Sequence, residues 1–193
     1  MAFLFRGDRR YLQGADFFIY VENFLKKKKF KSLNLICKNF INTEPRIKYV
    51  LYSRKKNIKE INYSVLCIIE NQKNKIYIKF NNSKKKIKSN YSYDDKLFYD
   101  YFRINKNNTA TCNFSTSFKD IEILIALNKF WHQSKIKKKG KWIFTRLKLI
   151  RKFNNKTKKN FKIKNVYNKF NKYTVSNVIQ NNRLIGEIHF SLM

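Results

Sequence analysis

Three aspartates, Asp94, Asp95 and Asp100, stand among Tyr91, Tyr93, Tyr99 and Tyr101, and clustered carboxylates are what a metal-dependent nuclease uses to hold divalent ions. Their setting argues for a plainer role. The surrounding segment is rich in Lys, Asn and Ser, where acids are ordinarily solvated or paired with lysines. Asp16 and Glu22, six apart on one expected helix, are poorly aligned to share a metal. Cys37, Cys67 and Cys112 are isolated, and His132 and His189 are the only imidazoles. A structural zinc site needs four convergent ligands, so the thiols read as small buried side chains in a reducing compartment. No Ser-His-Asp or Cys-His arrangement is visible, and four glycines make no phosphate loop. An enzyme is not expected, nor is any metal or cofactor.

The chemistry this sequence does advertise is electrostatic. Its 44 Lys and Arg face 12 Asp and Glu, a net charge of +32 in 193 residues. Self-repulsion on that scale works against a compact state unless a polyanion neutralises it. The charge is spread along the chain, at Lys26–Lys29, Lys84–Lys86, Lys137–Lys139 and Lys158–Lys159, rather than gathered in a tail. With 43% hydrophobic and 17% aromatic residues, there is enough apolar material for a packed core. Folded, dispersed and very basic suggests RNA phosphates as the partner. The longest apolar run, Ile121–Leu127, is short and interrupted by Glu122, far from the ~20 residues that span a bilayer. A peripheral membrane protein would want one concentrated basic helix, so no membrane partner is expected. Abundant Lys, Asn, Ile, Phe and Tyr suggest A/T-rich codons, as in the genome of an organelle or a parasite. Asp8 interrupts Arg6, Arg9 and Arg10, so a cleaved presequence is poorly supported, and the expected place is the mitochondrial matrix, with the gene in the organelle.

The elements that must carry this charge follow from periodicity. Asp16 is placed to cap a helix from Phe17, with Phe17, Val21 and Phe24 on one face. Leu33, Leu35 and Cys37 alternate as a short strand. Thr43 reads as the cap of a second helix whose stripe is Ile47, Val50 and Leu51. A hairpin follows, Tyr63–Ile69 and Lys75–Phe80 around a polar turn. Residues 81–117 show no sustained period and read as a long loop. Ser117 would then cap an amphipathic helix through Ile121, Leu124, Ile125, Phe130 and Trp131. In the last third Ile143, Thr145, Leu147 and Leu149 alternate, a short helix or turn is expected around Val166–Phe170, and Tyr173–Gln180 with Arg183–Leu192 form a hairpin about Asn181-Asn182. The class is α+β. The expected division is an α-β-α-β-β domain at 1–80, an insertion at 81–140, and a mostly β domain at 141–193.

This order resembles the small-subunit ribosomal protein S-eight family. The stretch Ala15–Asn23 looks like the family's opening helix, D-x-L-x-x-I-R-N. Val50-Leu51, Ile58 and Ile76–Phe80 are similar to its second helix, its G-F-I turn and its L-K-Y strand. Val178–Ile185 lies on the signature V-V-S-T-S-K-G-V. Gln180, Asn181 and Asn182 replace the Ser-Thr-Ser turn, Leu184 replaces Gly, and Glu22 stands where Arg is usual. The resemblance covers about two thirds of the chain. It implies a non-catalytic constituent of the mitochondrial ribosome's small subunit, bound to the central domain of its rRNA and supporting assembly. The implied partners are rRNA and neighbouring ribosomal proteins, with no small-molecule substrate. The implied RNA contacts are Tyr20, Asn23, Lys156, Lys159 and Phe161, with Gln180, Asn181, Asn182 and Arg183 as the principal site. Another organelle-specific ribosomal protein is the alternative, and an intron-encoded maturase or endonuclease fragment a more distant one.

Overall fold

The computed structural model describes residues 3–26, 29–52, 62–154 and 156–193. Ile58 of the resemblance and Lys27 and Lys28 of the first basic run lie outside them. The chain divides into two compact units, residues 1–93 and 94–193.

In the first unit, helix α1 (Gly14–Leu25) lies against four antiparallel strands: β2 (Ser32–Cys37), β3 (Arg46–Tyr52), β4 (Val65–Glu70) and β5 (Lys75–Asn81). Their order across the sheet is β3-β5-β4-β2. Alternation decides the faces. Leu33, Leu35, Cys67, Ile69, Ile78 and Phe80 are buried in register, and Phe80 packs on Phe17 of α1, their rings 5.0 Å apart. On the opposite face Leu66, Ile68 and Tyr77 form a smaller cluster with Ile36, Val50 and Tyr63. β4 is therefore apolar on both sides, as its uninterrupted sequence Val-Leu-Cys-Ile-Ile requires.

Helix α1 begins three residues before Phe17, with Gln13 as its cap residue. Asp16 reaches back to accept the Gln13 N–H at 2.8 Å, half of a capping box. Its other oxygen accepts from Arg6 Nε at 2.6 Å. Arg6 belongs to a two-residue strand, β1 (Phe5–Arg6), paired with β6 (Asn90–Tyr91), and its guanidinium lies over the Tyr93 ring.

The expected second helix is a strand. Ile47, Val50 and Leu51 satisfy a helical stripe, but Arg46–Tyr52 pairs residue by residue with β5. Pro45 opens it, Tyr and β-branched residues fill it, and Tyr49 and Leu51 are exposed, all properties of an edge strand.

The second unit repeats the plan. A 3-10 helix (Asp95–Tyr101) and the short β7 (Phe102–Asn105) and β8 (Thr109–Ser115) precede helix α2 (Asp120–Lys135). Then come β9 (Trp142–Leu149), β10 (Lys158–Lys169), β11 (Tyr173–Gln180) and β12 (Arg183–Leu192). The sheet order is β9-β12-β11-β10-β8-β7. Residues 81–117, expected to be a long loop, thus carry β6, the 3-10 helix, β7 and β8, while the amphipathic helix expected within 81–140 is α2. Residues expected as a helix or turn near Val166–Phe170 continue β10 to Lys169. Helix α2 starts after Lys119 rather than Ser117, and Glu122 accepts the Lys119 N–H at 2.8 Å. Its first two turns are buried on every side, from Asp120 to Asn128. Among the described residues no helix is long and apolar enough to cross a membrane.

Candidate functional site

Two of the three clustered acids are engaged by structure. Asp94 caps the 3-10 helix by accepting the Lys96 N–H, and Asp95 pairs with Lys129 of α2 at 2.5 Å. Among the described residues no group of His, Cys, Asp and Glu could hold a metal. The cysteines are free, and burial pushes the Cys112 thiol up to about 12, which keeps it an inert thiol.

The chemistry collects instead along a polar seam between α2 and β11. Positions four apart on a helix share a face, and Asp120, Asn128 and His132 lie on such a stripe. β11 offers Gln180, Ser176 and Thr174, on the face they share with buried Val178. His132 bonds the Thr174 hydroxyl through Nε2 at 2.6 Å and the Asn128 carbonyl through Nδ1 at 2.6 Å. Burial pulls its pKa down to about 4, so the ring is neutral. Ser176 donates to Asn128 at 3.3 Å.

At the head of the seam, Asp120 is fully engaged. Lys159 donates to Oδ1 at 2.6 Å and Gln180 Nε2 to Oδ2 at 2.8 Å. Both ends of the ion pair are buried, with side chains 4% and 1% exposed. Gln180 Oε1 accepts the Asn154 N–H at 3.0 Å, which fastens the β9–β10 link to the end of the β11–β12 hairpin.

Above this anchor opens a cleft of about 430 Å³ lined by Arg151, Lys152, Phe153, Asn154, Gln180, Asn181, Arg183 and Ile185. Three cations stand at its walls, with the Gln180 and Asn181 amides and two apolar side chains. Such a surface suits a phosphate or diphosphate joined to an apolar group. Among the described residues the lining holds no nucleophile and no carboxylate. Asn181 and Asn182, with φ of 50° and 60°, form the tight turn that brings Arg183 back toward the cleft.

The residues singled out from sequence separate accordingly. Gln180, Asn181 and Arg183 line the cleft, and Lys159 lies beneath it on Asp120. Phe161 is in the core, its ring 6.0 Å from Phe153. Asn182 and Lys156 are exposed. Tyr20 and Asn23 belong to the first unit, where Tyr20 bonds the Tyr49 hydroxyl and Asn23 is exposed. Asp120, Arg151, Lys152 and Asn154 were not anticipated. The i, i+4, i+8, i+12 placement of Asp120, Leu124, Asn128 and His132 was the available signal for the first.

No protein-family model matches the chain, and no curated relative matches it by sequence. Solved structures do resemble it. The dehydratase domain of PpsC from Mycobacterium tuberculosis, in complex with C12:1-CoA, superposes with a TM-score of 0.55 at 6% identity, over 95% of this chain and 85% of that one. A tesB protein of Mycobacterium avium subs paratuberculosis superposes with a TM-score of 0.50 at 6% identity, over 95% and 88%. These are hot-dog folds, and the mixed α+β structure of this chain, with its antiparallel strands, is consistent with that fold.

That fold overturns the ribosomal S-eight resemblance. The resemblance needed the order α-β-α-β-β, and the second helix of that order is β3. With it go the small-subunit rRNA function, the rRNA and ribosomal-protein partners, and the alternatives of another ribosomal protein or a maturase fragment. The expectation of no small-molecule substrate came with that resemblance and falls with it; the expectation of no enzyme was drawn from the residues as well, and loses the support the resemblance gave it. The first neighbour is a dehydratase domain with an acyl-CoA bound.

Proposed function

We propose that this chain binds an acyl thioester of the coenzyme A type, seating the carrier's phosphates on Arg151, Lys152 and Arg183. The observation that carries this reading is the basic cleft of the second unit, braced from below by the Asp120–Lys159–Gln180 cluster. A hot-dog fold whose neighbour was solved with C12:1-CoA supports the ligand class. Phe153 and Ile185 supply apolar wall beside the cations, as a ligand with a charged and a greasy end requires. Asp120 spends both oxygens on Lys159 and Gln180, so its work in this reading is to hold the cleft's shape.

Titration calorimetry with coenzyme A and with a dodecanoyl thioester tests it. Binding is expected, and weakens by roughly tenfold, or ~1.4 kcal/mol, for each of Arg151→Glu and Arg183→Glu. Release of free thiol, followed in the same samples, would show turnover. Wild-type protein that gives no heat with either compound would overturn the reading.

A further inference from the structure

Six non-glycine residues among those described have positive φ: Asn107, Asn108, Phe170, Asn171, Asn181 and Asn182. Five are Asn, whose short amide makes the left-handed region accessible. Phe170 has no such excuse. Its φ is 53° and it is 80% exposed, so no burial offsets the strain. Strain that persists at an exposed position points to function.

The turn that holds this ring, between β10 and β11, is well tied. Lys172 N–H donates to the Lys169 carbonyl at 2.9 Å, and Asn171 N–H to the Asn168 side chain at 3.0 Å. Lys138 Nζ donates to the Phe170 carbonyl itself at 2.8 Å. Earlier in the same hairpin, Val166 and Tyr167 are each 50% exposed. Lys164, Lys169 and Lys172 lie on the same hairpin and Lys138 reaches it through the Phe170 carbonyl, all four exposed.

An apolar point accompanied by ammonium groups matches the boundary of an anionic bilayer. The ring enters the acyl region while the lysines stay among the headgroups. We propose that the β10–β11 hairpin tip, with Phe170 at its apex, docks this protein on an anionic lipid surface. The tip lies apart from the thioester cleft, none of whose lining residues it shares.

The test uses the full chain and vesicles of phosphatidylcholine, with and without phosphatidylserine. Dispersed charge attracts any anionic surface, so partition is measured at high salt, where screening leaves mainly the apolar contribution. Phe170→Asn puts a residue suited to the turn in place of the strained one. It is expected to raise the thermal midpoint and to lower partition by about tenfold, the scale of removing one buried aromatic side chain. Phe170→Trp should show blue-shifted emission quenched by lipids brominated in their acyl chains, since Trp131 and Trp142 are buried. Coenzyme A binding by both variants is expected to match wild type. Partition unchanged in Phe170→Asn, or emission from Phe170→Trp that vesicles leave unshifted, would overturn the proposal. So would a loss that appears only with single-stranded oligonucleotides, which would make the ring a base-stacking platform.

Discussion

At Asp120 the packing of one helix end and the shape of the cleft become the same problem. Its carboxylate is paired with Lys159, and both are sealed from water. An ion pair in such a place is costly to build but far costlier to halve. Asp120→Asn is expected to destabilise the fold by about 3–5 kcal/mol, because Lys159 is left charged and buried. The double variant Asp120→Asn with Lys159→Met removes that orphan and should regain most of the loss. Urea titrations of the two variants check this, and equal destabilisation would show that the pair is not coupled. Part of the cluster was legible from sequence. Lys159 stands two before Phe161 and four before Ile163, so strand alternation puts it on their buried face. Gln180 likewise shares a face with Val178. What alternation could not supply was the partner, since Asp120 lies 39 and 60 residues away from them. Without that partner, both side chains look free for RNA.

At the scale of the elements, Gly186 of β12 stands opposite Leu149 of β9. A Cβ there would lie 2.0 Å from the Lys148 carbonyl oxygen and 3.0 Å from the Leu149 Cα, so the strands must part to admit it. Gly186→Ala should therefore cost about 1–3 kcal/mol, as overpacking does. Loss of amide protection from hydrogen exchange should centre on β9 and β12. Protection that is intact would mean that the bulge between Val178 and Ile179 absorbs the methyl. Elements with a clear strand pattern were legible: β2, β5, β9 and the β11–β12 hairpin by alternation, and β4 by its unbroken apolar run, fall close to where the sequence puts them. The errors came where two periods fit the same residues. Ile47, Val50 and Leu51 fit a helix turn as well as an edge strand, and a single strand read as helix turned an antiparallel sheet into a different topology. β7 and β8 escaped although Phe102 and Ile104, and Ala110, Cys112 and Phe114, alternate with polar residues, because each run is short and lies in a segment dominated by Lys, Asn and Ser. Pairing decides their strand state, β8 against β10 and β7 against β8.

Across the whole molecule the net charge of +32 still outweighs every other electrostatic feature. The acids are too few to offset it. Several are spent on individual lysines or arginines: Asp16 on Arg6, Asp95 on Lys129, Asp120 on Lys159. The remaining lysines repel one another through solvent, and that repulsion is of the kind salt removes. Raising potassium chloride from about 0.1 M to about 1 M cuts the screening length from ~10 Å to ~3 Å. The thermal midpoint is then expected to rise by several degrees, on the scale of ~1–2 kcal/mol for a chain this long. Sucrose at matching osmolality controls for general exclusion effects. Coenzyme A should raise the midpoint further at low salt than at high salt, because its phosphates and the added anions compete for the same arginines. A midpoint indifferent to salt would mean that the positive groups lie too far apart in the folded state to repel. Repulsion would then be no reason for this chain to need an anionic ligand.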